Sequence, residues 1–166
     1  DAFYGCEYLQ TVKIQGNTLK YINASAFYGC SVLDDFQIPS SVTKIGDNAF
    51  AYCKGLSSIV IPDSVETLGG GAFGDCTNLI SAVVGNGVIS MSAAENNNDG
   101  NDNTHYYRYG VFENCSKLES VIIGSNVENI GIDTFASTAL KSVDIPDSVV
   151  TVEKGAFYNC KSLEEV

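Results

Sequence analysis

The chain has 166 residues, 45% of them hydrophobic, which gives room for one packed domain and argues against wholesale disorder. Its net charge of −11 and pI near 4.2 repel a phosphate backbone or an anionic membrane surface, so a nucleic-acid role is set aside. No apolar run reaches the roughly 20 residues of a membrane span, so no direct membrane insertion is expected.

In chain order, one short motif returns again and again. AFYGC stands at 2–6 and again at 26–30, followed by AFAYC at 49–53, AFGDC at 72–76, VFENC at 111–115 and AFYNC at 156–160. The recurring rings are Phe3, Phe27, Phe50, Phe73, Phe112, Phe135 and Phe157, spaced 24, 23, 23, 39, 23 and 22 residues apart. Self-similarity at such a period marks a solenoid. The long interval is one repeat plus an insertion at about 92–110. Residues 1–166 are therefore read as a single solenoid of about seven 22–24-residue repeats, partial at both ends. Both ends fall within a copy, and DAFYGCEYL lacks the basic and apolar regions of a signal peptide, so a segment of a longer protein is expected.

The clearest copy runs from Ala49 to Gly70. Leu56, Ile59 and Ile61 give L-x-x-I-x-I, whose last two positions alternate as a strand with one buried face requires. Pro62 ends that strand, as Gly85 and Gly124 do in later copies. Val65 and Leu68 begin a second apolar pair on the return path, and a bend or single helical turn is expected at Ala72-Phe73. One coil cannot bury its apolar face alone. Stacked coils share a core and set like residues in ladders about 4.8 Å apart.

The period and L-x-x-L-x-L pattern place the chain among leucine-rich repeats. A-F-x-x-C-x-x-L, I-P-x-S-V and I-G-x-x-A-F further resemble the BspA-like (Treponema-type) repeats of microbial cell-surface proteins. Copy four departs at Ala82-Val83-Val84, and copy six, TFASTALKSV, lacks the cysteine. The resemblance implies a mostly β horseshoe or arc. A parallel sheet would lie on its concave face, with turns, second short strands or single helical turns on the other side. It also implies an extracellular or surface location and adhesion to host or extracellular-matrix proteins.

Cys6, Cys30, Cys53, Cys76, Cys115 and Cys160 hold one position in successive coils, with Thr138 there in copy six. That arrangement predicts a ladder of free, packed thiols in place of a disulfide framework. With a single histidine and no C-x-x-C spacing, no metal centre or other cofactor is expected.

Two candidate binding surfaces emerge. Residues between the buried strand positions point outward, and Val60, Val83 and Ile122 make three consecutive apolar rungs. Beside them runs a hydroxyl row that includes Ser58, Ser81 and Ser120. The plainer account of the stripe is β-propensity, since Val and Ile stack well in sheets. The insertion carries His105-Tyr106-Tyr107-Arg108-Tyr109, with the only arginine, and Tyr and Arg favour binding hot spots. Alternatively these tyrosines lay the loop against the solenoid. Glu95, Asn97, Asp99, Gly100, Asn101 and Asp102 faintly resemble a calcium loop, but Tyr106 stands where the bidentate glutamate belongs. No nucleophile elbow or phosphate loop is present, and the Ser and Asp residues follow the repeat. A non-enzymatic protein-binding module is therefore expected, the alternatives being a structural spacer array or a carbohydrate-binding module.

Overall fold

The computed structural model describes residues 1–91 and 110–166. Among the described residues nine short strands follow in chain order: β1 (Tyr21–Ile22), β2 (Lys44–Ile45), β3 (Ser58–Ile61), β4 (Thr67–Leu68), β5 (Ser81–Val84), β6 (Ser90–Met91), β7 (Ser120–Ile122), β8 (Asn129–Ile130) and β9 (Thr151–Val152). All pairing between these strands is parallel and joins counterparts in successive coils, with a break between β4 and β6. The chain is a repeat solenoid.

One side of the coil carries β3-β5-β7, formed from the I-x-I segments. Backbone bridges Thr11↔Asp35 and Ser142↔Glu165 extend the same row toward both ends. The return path carries β1-β2-β4 and β6-β8-β9, which settles the expected choice there in favour of second short strands. A-F segments form tight turns instead of helix: Gly74 N–H donates to Gly71 O at 2.9 Å, and Cys53 N–H to Phe50 O at 3.2 Å. A residue of positive φ sits before the cysteine of each copy, or before Thr138 in copy six, and stops any helix from propagating. Its values run from 57° at Asp75 to 71° at Gly29. The turns are themselves laced coil to coil, as in Phe27 N–H to Ala49 O and Phe50 N–H to Ala72 O at 2.8 and 2.7 Å.

The core is a set of files. Phe3, Phe27, Phe50, Phe73, Phe112, Phe135 and Phe157 stack face to face in sequence, with centroids 5.1–5.7 Å apart. The insertion leaves after Met91, and Gly110 returns the chain so that Val111 takes the place of the motif's alanine. Phe73 N–H then donates to Val111 O at 2.9 Å, as in an uninterrupted coil. The motif's I-G glycine is a packing requirement: a Cβ on Gly46 or Gly69 would strike the backbone of the preceding coil at Ala24 or Asp47. The serine of P-x-S-V has its own bond, since Ser41, Ser64 and Ser148 each donate at 2.7 Å to a carbonyl one coil back.

The cysteines are free. Each of Cys30, Cys53, Cys76, Cys115 and Cys160 donates its thiol to the carbonyl of the preceding coil's phenylalanine, at 3.0–3.2 Å. In copy six Thr138 donates instead to Phe135 of its own coil at 2.8 Å. Burial drives the thiols of Cys53 and Cys76 well above the ordinary range, with neighbouring cysteines adding to the effect.

Candidate functional site

Strand alternation buries Ile59, Ile61, Ala82 and Val84 and turns the residues between them outward. The parallel register then aligns these outward residues. Val60 faces Val83, which faces Ile122, and Ser58 faces Ser81, which faces Ser120. All six residues expected from the sequence on this face are thereby brought together in two adjoining rows. Val60 and Ile122 remain 60% and 64% exposed, while Val83, flanked on both sides, is half-buried.

Ile80, next to Ser81 along the chain, is a further exposed apolar side chain in the middle coil. It is 50% exposed at the position where the other copies carry Gln10, Asp34, Ser57, Glu119, Lys141 and Glu164. Only a comparison of each copy with the consensus would have signalled it. Around the apolar rungs the face turns acidic. Asp34 and Asp35 lie on one flank, and Asp144, Glu164 and Glu165 on the other, all exposed. Lys141 is tied to Glu119 at 2.7 Å; that hydrogen bond, and then the fields of Glu119 and Glu164, raise its pKa.

The second candidate, His105, Tyr106, Tyr107, Arg108 and Tyr109, lies outside the described residues, as do Glu95 to Asp102. Beside the coils, a groove of about 540 Å³ is lined by Lys13, Asp35, Gln37 and Pro39 among others. Another of about 550 Å³ opens on the return side, between Lys44, Asp47, Glu66 and Ser90, where β4 and β6 belong to separate sheets. Among the described residues no group of three or more His, Cys, Asp or Glu is placed to hold a metal ion, and no helix is long and apolar enough to cross a membrane.

A model of the BspA type leucine rich repeat region matches six copies over residues 1–98 and 97–165. The chain belongs to the BspA-type leucine-rich repeat family. Solved structures resemble it. A leucine rich repeat protein of T. pallidum shares 30% identity at a TM-score of 0.66, over 82% of this chain and 56% of that one. A leucine-rich repeat protein of Eubacterium ventriosum shares 27% at 0.57, over 90% and 42%. A leucine rich cell surface protein of Faecalibacterium prausnitzii shares 21% at 0.54, over 98% and 54%, a likeness of fold. This BspA-type chain thus spans about half the length of these proteins. No curated protein matches it.

Proposed function

We propose that this chain is a non-enzymatic protein-interaction module of a secreted or cell-surface microbial protein, and that it adheres to a host or extracellular-matrix protein. The observation that carries the reading is the in-register, solvent-facing row of Val60, Val83 and Ile122 on a parallel sheet. Neither the fold nor the packing uses this exposed apolar surface, and such surface marks interaction sites when it is contiguous. Family membership supports an interaction module in general, and the Faecalibacterium neighbour is described as a cell surface protein.

A spacer is the second reading, favoured by the unbroken phenylalanine file and the coil-to-coil bonding of strands and turns, which would make a stiff rod. Immobilised binding to a panel of matrix and mucosal proteins separates the two. The adhesive reading expects saturable binding. The combined Val60→Ser, Val83→Ser and Ile122→Ser variant should weaken it about tenfold or more, because it removes apolar area that a partner would cover. Its melting temperature should stay near that of the wild type. No saturable partner, or unchanged binding by the variant, would remove the stripe from the function.

A further inference from the structure

Resting on that reading, we infer the partner's chemistry: an extended protein segment whose two cationic side chains bracket an apolar centre, laid across the strands along the solenoid axis. The apolar rungs are confined to the coils of Val60, Val83 and Ile122, and Ile80 is a further exposed apolar side chain in the middle one. The coils on either side present carboxylates in the neighbouring outward positions, Asp34 and Asp35 before the stripe and Asp144 after it, with Glu164 and Glu165 one coil further. Of the two lysines in these rows, Lys141 is already neutralised by Glu119, which leaves Lys13 alone against these five acids. Lys54, Lys117 and Lys161 stand at the corner before the strands, outside the rows. The face is therefore apolar in the middle and negative at both ends of one axis.

Spacing fixes the partner's pattern. From the coil of Asp35 to that of Asp144 is four rungs, about 19 Å at about 4.8 Å each. An extended chain rises about 3.3 Å per residue, so about six residues cover that length, with alternate side chains facing the sheet. The fitting motif is cation-x-apolar-x-apolar-x-cation, with its two apolar residues over the stripe. A segment with acidic ends would place like charges together at both flanks.

The test is a methyl and amide NMR titration of the full 166-residue chain with the capped peptide KSVSVSK, against ESVSVSE and KSSSSSK. The inference expects shifts at Val60, Val83 and Ile122 with KSVSVSK, weaker in high salt, and little response to either control. In the Asp35→Lys, Asp144→Lys variant, both side chains being exposed, KSVSVSK should bind about fivefold more weakly, the scale of two exposed ion pairs. Equal shifts with ESVSVSE would overturn the inference. So would shifts spread over the return side, at Glu66 and Glu128, with the stripe methyls unmoved, since that pattern is general attraction to an acidic protein. The two readings fail separately: if a panel protein binds through the stripe but is indifferent to the two lysine substitutions, adhesion stands and the charge bracket falls.

Discussion

The ring of Phe73 stacks on that of Phe112 with centroids 5.5 Å apart and planes 12° from parallel, although the whole insertion lies between them in sequence. The same pair of coils is stitched by Phe73 N–H to Val111 O and by the Cys115 thiol to Phe73 O. The insertion therefore interrupts the chain without interrupting the core. In a solenoid each coil touches only its neighbours, so a defect at this junction should uncouple the described coils on either side of it.

Replacing Phe73 by Ala tests that coupling. The ring is fully buried and stacked on both faces, so its loss should cost about 3–5 kcal/mol. Urea unfolding should show a lower midpoint and a broadened transition as the halves separate. Phe157→Ala, at a partly exposed ring with one stacked neighbour, should cost less than half as much. Equal losses at the two sites would contradict a core built from files.

The sequence disclosed much of this because a repeat averages its own noise. Each of seven copies places phenylalanine at the same phase, so the file of rings is legible in the sequence alone. Outward strand positions followed from alternation alone, which is why Val60, Val83 and Ile122 were legible. What escaped were features that differ between copies or depend on the offset between coils. Ile80 departs from a position that is otherwise polar or charged, and a consensus hides it. The serine of P-x-S-V bonds one coil back, a relation invisible until the coils are stacked. The position before the cysteine reads Gly, Gly, Tyr, Asp, Asn, Ser, Asn, and it passed as variable although most of those residues tolerate left-handed backbone.

Ser137 follows from that last row. It holds φ 59° between coils whose equivalent residues, Asn114 and Asn159, hold 60°. Asparagine adopts this region more readily than serine. Ser137→Asn should therefore stabilise the chain by about 0.5–1 kcal/mol, and Ser137→Val should destabilise it by about 1–2 kcal/mol. Thermal melts of the two variants should move in opposite directions from the wild type. A valine variant as stable as the asparagine variant would show that this backbone is not strained.

Thiol chemistry should grade along the ladder. Cys6 is exposed and Cys160 half-exposed, whereas Cys30, Cys53, Cys76 and Cys115 are buried. Burial also holds the Cys30, Cys53 and Cys76 thiols protonated, and the thiolate is the reactive form. Alkylation of the native chain at pH 8, read by peptide mass spectrometry, should modify Cys6 first and Cys160 more slowly. The four buried thiols should react only after unfolding. Rapid native labelling of Cys76 would mean that the central coils open far more readily than their packing implies.

Glu113 supplies the pH dependence. Burial raises its pKa above the ordinary 4.5; the Gly110 N–H, donating to Oε2 at 3.0 Å, opposes the shift, and Asp133 and Asp75 add to it. With the folded pKa above the unfolded one, the folded chain binds more protons between the two values, so this group's contribution to stability declines as pH rises through that window. Above both values the penalty is constant. Glu113→Gln keeps an oxygen for the Gly110 N–H and carries no charge to desolvate. It should melt higher than the wild type at pH 7, and the gap should close as pH falls below about 4.5, where the unfolded glutamate is protonated too. Melting curves of both proteins from pH 4 to pH 7 measure the difference directly. A gap that widens toward acid would reverse the sign and place Glu113 among the stabilising carboxylates.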